Sequence, residues 1–290
     1  MKKIILASIA SLPLLFSSCD GLLDKAPLDK IGNDSYWSTS KDLANYTLQF
    51  YTVFPSFTGG GAEGGYLGTF GWDANKGSDN MITTNPNDVL NNSRSVVTSK
   101  GNGHWEWDKI RSVNFFFDNY SNCKDDINEY GHFLGEAYFF KAWDYYLKVL
   151  YFGDVPWLTR DLNVDSEELY AARTPRAEVM DSVLMCINKA VEWLPEKANQ
   201  EKDRLNKDQA NFLKARICLF EGTFRKYHTE LNLQSTANKY LEEAVKASEA
   251  LIGKYSLYNS GENAYWKMFT AIDLSTNPEV ILGRTYLENK

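Results

Sequence analysis

Between residues 133 and 151, apolar side chains fill the helical positions of the chain more densely than anywhere else. Phe139, Trp143, Tyr146 and Leu150 form one stripe at helical spacing, and Phe133, Ala137, Phe140, Leu147 and Tyr151 form a second beside it. A helix apolar around most of its girth has to be buried on several sides. Gly153 suits the left-handed residue after a last turn and Pro156 bars continuation, so this helix is expected to stop near Phe152.

The same periodicity predicts further helices on both sides. One runs over 41–51, capped by Ser38 or Ser40, with Leu43, Tyr46, Thr47 and Phe50 inward. Another starts at Trp105 or Glu106 and reaches Ser121, carrying Trp107, Ile110, Val113 or Asn114, and Phe117. Downstream, Thr174-Pro175-Arg176-Ala177-Glu178 places a capping Thr before a Pro and a first-turn carboxylate, opening a helix that turns Val179, Val183, Ile187 or Cys186, Ala190 and Trp193 inward and ends before Pro195. Asn206 opens the next, with Phe212, Ala215 or Arg216, Leu219 and Phe220 on its face, closed by Gly222 or the turns beyond. Thr236 opens one more, with Tyr240, Ala244, Ala247 and Leu251, and Gly253 past its end.

These starts recur at roughly thirty residues, near the period of a tetratricopeptide (TPR) array. The expected fold is therefore mainly α, with TPR-like antiparallel helix pairs stacked side by side, a long irregular excursion and little β. Only 277–284 reads as a β-like run.

The excursion covers 58–103, where Gly59-Gly60-Gly61 and Gly64-Gly65 precede a run of Asn, Asp, Ser and Thr with few apolar residues. A loop of that length in a folded chain is either a functional element or a variable one. Its composition suits sugar recognition, because sugar rings stack their C–H faces on indole and phenol rings while their hydroxyls want amides, carboxylates and guanidinium groups. Tyr66, Phe70, Trp72 and Trp105 supply rings. The candidate ligand set is Trp72, Asp73, Asp79, Asn80, Asn92 and Arg94, with Asn85 as a further amide. For Trp37, Trp107, Trp143 and Trp193, which sit on periodic faces, core packing is the better reading.

Charge and residue chemistry narrow the alternatives. A net charge of −7 argues against binding a phosphate backbone, so nucleic acid is a poor partner. His104, His132 and His228 lack metal-ligand spacing, the Gly-rich stretch carries no phosphate-loop Lys-Ser/Thr, and there is no nucleophile elbow. Cys123, Cys186 and Cys218 have no paired spacing and read as small buried hydrophobes on helices. No cofactor is implied. At the start, Met1-Lys2-Lys3, an apolar run over 4–16 and Ser17-Ser18 before Cys19 read as an export signal too short to span a bilayer.

Several of these stretches resemble one family. Gly135-Glu136-Ala137, Phe139, Ala142 and Phe152-Gly153-Asp154-Val155-Pro156 are similar to the hallmark segment of the SusD/RagB family, surface nutrient-binding lipoproteins of Bacteroidetes. Trp107, Ile110, Arg111 and Asn114 resemble a second signature of that family, and 20–38 resembles its mature N-terminus. Tyr138, Lys141 and Leu150 stand where arginines are usual. Because a charged Arg111 beside an apolar face needs a carboxylate, Glu136 on the next helix is its expected partner.

The resemblance implies a signal peptide over 1–18 with Cys19 lipidated at a lipobox, an extended anchor over 19–40 and a helical domain over 41–290. In character all 290 residues match the N-terminal half of the family, with a C-terminal truncation as the corollary. It further implies a non-catalytic protein held at the outer membrane by its lipid. Such a protein captures oligosaccharides, in some cases peptides, and delivers them to a SusC-type TonB-dependent transporter. Two other classes remain as rivals: a secreted glycoside hydrolase using Asp73 and Asp79, and a TPR-like scaffold that binds only protein.

Overall fold

The computed structural model describes residues 36–54, 92, 93, 95, 105–201, 203–271 and 273–283. Among them are seven α-helices: α1 (Ser40–Thr47), α2 (Asp108–Asn119), α3 (Ile127–Phe152), α4 (Arg176–Trp193), α5 (Lys207–Tyr227), α6 (Ala237–Glu249) and α7 (Ala264–Thr270). The mainly α expectation holds, and α4 packs on α3, α5 on α4 and α6 on α5, with α1 and α2 against another side of α3. The expected β-like run does not form a strand. Residues 274–282 make turns instead, and Arg284 lies outside the described residues. No helix of the described residues is long and apolar enough to cross a membrane.

α3 is the axis of the core. Phe139, Phe140, Ala142 and Tyr145 have no exposed surface, and Phe133, Trp143, Tyr146 and Val149 are nearly as enclosed. Burial of this many aromatic side chains, at about 25 cal/mol per Å² of apolar surface removed from water, is the largest stabilising contribution available to the fold. Trp37 plugs the open end of the α1–α2 layer, its ring 4.7 Å from that of Tyr46 and 5.7 Å from that of Phe115. Trp143 is buried as expected, whereas Trp107 and Trp193 are only half-buried at the edge of the core.

Helix ends follow local chemistry, with corrections at single positions. The cap of α1 is Thr39, not Ser38 or Ser40: Thr39 Oγ1 accepts from Asp42 N–H, and Asp42 Oδ2 accepts from Thr39 N–H at 2.9 Å. α2 begins at Asp108, two to three residues later than the periodicity suggests. α5 runs through Gly222 to Tyr227, because there the glycine serves packing and not termination: a Cβ on it would lie 2.7 Å from Leu241 Cδ2 of α6.

The Phe152-Gly153-Asp154-Val155-Pro156 segment is explained atom by atom. Gly153 takes φ +68°, Asp154 Oδ1 accepts from Arg176 N–H at 2.7 Å and so caps α4, and Val155, fully buried, pairs with Thr174 in an isolated bridge. Thr174 is thus a bridge residue and Pro175 takes the capping position, while the carboxylate comes from 22 residues upstream.

The Arg111–Glu136 pair does not form. Arg111 reaches outward to Asp161, Nε to Oδ1 2.7 Å, with most of its side chain in water. Glu136, fully buried, is met by Arg204, whose Nη1 donates to it at 2.7 Å and to Thr47 Oγ1 at 3.0 Å, while Nη2 donates to Ala44 O at 2.6 Å. Arg204 lies in the connector before α5, and it binds α1 and α3 together. A second buried network joins the later helices: Glu221 accepts from Arg176 Nη2 at 2.6 Å and from Arg225 Nε at 2.6 Å, and the Arg225 guanidinium lies over the Tyr240 ring. Lys141, in place of an arginine, is buried in a box of rings, its Nζ 5.4 Å from the Phe117 centroid and 5.1 Å from that of Trp157, donating to Asn114 Oδ1 at 2.7 Å. Asn114 in turn donates to the carbonyls of Leu158 and Arg160. The three cysteines are free. Burial pushes the Cys186 and Cys218 thiols up to about 12, consistent with inert core residues, whereas Cys123 sits half-buried after a 3-10 turn and not on a helix.

Candidate functional site

Both stems of the excursion are fixed to α3 by aromatic side chains. On the upstream side Phe54 packs its ring 5.4 Å from Phe140 and 5.4 Å from Trp143. Downstream, the Trp105 ring stands edge-on to Trp107 at 5.2 Å and to Phe152 at 4.7 Å, centroid to centroid. The excursion therefore leaves and rejoins the protein over the C-terminal half of α3.

Trp105 is 37% exposed, more than any other tryptophan anchored to α3. Around it the structure gathers cations: the Arg173 guanidinium centre is 4.7 Å from the Trp105 centroid, and Lys148 Nζ is 4.7 Å from that of Trp107. Lys148 donates to Glu106 O, and burial pulls its ammonium below the ordinary lysine value while Asp144 opposes that shift. An exposed indole flanked by cations sets an apolar π surface beside hydrogen-bond donors, the two chemistries that the C–H face and the hydroxyls of a sugar ring take. Trp105 belongs to the set of stacking rings expected from composition. Arg173, Lys148 and Phe152 do not, because nothing in the order of residues brings them beside residue 105.

Of the candidate ligand residues, Trp72, Asp73, Asp79, Asn80 and Arg94 lie outside the described residues, as do Cys19 and the export signal. Asn92 is described: it is exposed in a turn at φ +58°, a conformation that asparagine tolerates better than most residues. Among the described residues no group of three or more His, Cys, Asp or Glu is placed to hold a metal ion.

Comparison with known proteins fits this geometry. A family model described as "SusD-like_3: Starch-binding associating with outer membrane" matches residues 66–219, spanning most of the excursion and helices α2 to α4 with part of α5. SusD-like protein P2 of Formosa agariphila is 30% identical over 117 residues, 40% of this chain and 23% of that protein. SusD-like protein P38 of the same organism is 26% identical over 195 residues, 66% of this chain and 38% of that protein. Among solved structures, a SusD-like protein from Bacteroides fragilis superposes with a TM-score of 0.57 at 22% identity, covering 81% of this chain and 42% of the other. A SusD-like carbohydrate binding protein from the same species gives 0.52 at 15% identity, covering 77% and 42%. These likenesses establish a shared fold, and the chain spans less than half the length of each of these relatives. With more than half of its residues inside the family match and its helices stacked in the same fold, the chain belongs to the SusD-like family.

Proposed function

We propose that this protein is a cell-surface glycan-capture lipoprotein of the outer membrane, tethered through Cys19, which hands oligosaccharides to a SusC-type TonB-dependent transporter without chemically altering them. The observation that carries the reading is the family match over 66–219, which takes in residues 66–103 of the excursion together with the helices that hold its stems. The exposed Trp105 with Arg173 above it supports binding by stacking and hydrogen bonding, since every part of that arrangement is suited to hold a sugar and none supplies a paired acid and base.

In this reading the helical stack docks on the transporter while the excursion, with Trp72, Asp73, Asp79, Asn80, Asn92 and Arg94, holds the ligand against it. A glycan array followed by titration of the positive members tests it. At least one oligosaccharide should bind, and Trp72→Ala should weaken retention by about tenfold or more, the loss of one stacking ring, with the helical circular dichroism unchanged. Incubation with the bound glycan should release no new reducing ends; turnover would replace the capture reading with that of a hydrolase. Binding to no glycan, with transporter binding retained, would favour a protein-only scaffold.

A further inference from the structure

Most of the arginines are already neutralised. Arg111, Arg160, Arg176, Arg204 and Arg225 each have a carboxylate oxygen within 2.8 Å. Among the described residues Arg173 and Arg216 have none, and the two differ in what holds them. Arg216 stands exposed on α5 without a ring or hydrogen-bond partner in that set. Arg173 is exposed too, but it rests on the partly exposed Trp105 ring, its guanidinium centre 4.7 Å from the centroid. Its described hydrogen bond is a long one, Nη1 to Asp154 O at 3.5 Å, and the Asp154 carboxylate is engaged elsewhere, Oδ1 accepting from Arg176 N–H.

A guanidinium pinned in this way is ready for an anion. Contact with the ring holds the charge in place without using its N–H donors, and the fork of those donors matches two oxygens of a carboxylate or a sulfate. A neutral sugar laid over the Trp105 edge takes water off the Arg173 charge and puts no counter-charge in its place, whereas a sugar that carries an anion supplies one. At long range the chain gives anions no help, since its net charge is −7 and Glu106 is exposed next to Trp105. Selectivity has therefore to come from a directed contact. Arg173 is the exposed cation that can make it, because Lys148, on the Trp107 side of the same platform, is buried with its Nζ on Glu106 O.

We propose that the Trp105–Arg173 platform is a subsite for an acidic sugar unit, a uronate or a sulfate ester. The anionic group sits on the Arg173 N–H fork, and the C–H face of the sugar ring lies against the exposed part of the indole. The inference rests on the glycan-capture reading and narrows its ligand class from sugars in general to negatively charged ones.

The test uses the full chain and pairs of oligosaccharides that differ only in charge: oligogalacturonate against its methyl ester, and sulfated against desulfated galactan oligosaccharides. Affinities are read by calorimetry for the wild type, Arg173→Gln, Arg173→Lys, which keeps the charge without the fork, and Arg216→Gln as control. The wild type should bind the charged member of at least one pair about tenfold to a hundredfold more tightly than its neutral partner, the size of a hydrogen bond to a charged group. Arg173→Gln should abolish that preference by weakening the charged member more than the neutral one, Arg173→Lys should keep only part of it, and Arg216→Gln should keep all of it. A preference for oligogalacturonate alone assigns a carboxylate, and one for the sulfated galactan alone assigns a sulfate ester. Equal binding of both members of both pairs, or a preference that survives in Arg173→Gln, overturns the acidic-sugar subsite while glycan capture stands. Binding to neutral glycans of an array with none to either charged probe does the same. Binding to no glycan at all removes the capture reading and the subsite with it.

Discussion

At Glu136 and Asp144, eight residues apart on α3, the same side-chain chemistry meets two different environments. Each keeps one shielded oxygen without a hydrogen-bond partner, Glu136 Oε1 and Asp144 Oδ2, but Glu136 is fully buried with Arg204 on its other oxygen, whereas Asp144 is half-buried beside Lys148. Arg204→Ala leaves the Glu136 carboxyl alone in the core and should cost about 3–5 kcal/mol in urea unfolding, whereas Arg111→Ala on the surface should shift stability by less than about 0.5 kcal/mol. That a buried glutamate needs an arginine follows from the sequence. Which arginine does not, because Arg111 and Arg204 carry the same charge and only the packing of α1 on α3 decides which one can be enclosed.

For Asp144 the folded state holds its proton more tightly than the ordinary value of 3.8, up to about 7. The cost of ionising it is absent below about pH 4, accumulates as pH rises to about 7 and is constant above that. Asp144→Asn should therefore be more stable than wild type by about 1–3 kcal/mol at pH 8, with the gain fading toward pH 4, as read from thermal unfolding at the two pH values.

The contact between α3 and α4 depends on a face without side chains. A Cβ on Gly131 would lie 2.5 Å from the Trp193 ring, and one on Gly135 would lie 2.9 Å from both Leu194 Cγ and the Leu194 backbone nitrogen. Gly135→Ala pushes on backbone that cannot yield, and about 1–3 kcal/mol of destabilisation is expected in a denaturant titration. Gly153→Ala meets no atom within 4 Å, but φ +68° with ψ −106° lies outside the left-handed helical region and disfavours any Cβ, so about 1–3 kcal/mol of destabilisation is expected. Both glycines stand in the motif that carries the family resemblance, and the sequence treats them alike. Their roles separate only in three dimensions, one as space for a neighbouring helix and the other as a backbone angle. Most helix interiors were legible because a 3.6-residue period is a local property, but on α5 the expected inward residues Phe212 and Leu219 are exposed, and Leu213, Ile217 and Cys218 face the core instead. Several of the ends were not, since α4 is capped by Asp154 from 22 residues earlier and α5 continues through a glycine that α6 needs.

For the whole molecule, the aromatic content and the helical periods between residues 41 and 258 were enough to set the mainly α stacked fold, since burying two stripes on one helix leaves few arrangements other than helices packed on both sides. The spaced motifs around Glu136 and Asp154 were enough to point to the family. What only the tertiary structure decided is where charge and exposure meet: that Arg173 lies on Trp105, and that Lys141 is boxed by Phe117 and Trp157. Period and composition are sums over neighbours in the chain, so they survive in the one-dimensional record. A site is a meeting of residues tens of positions apart, and its geometry exists only once the helices have packed.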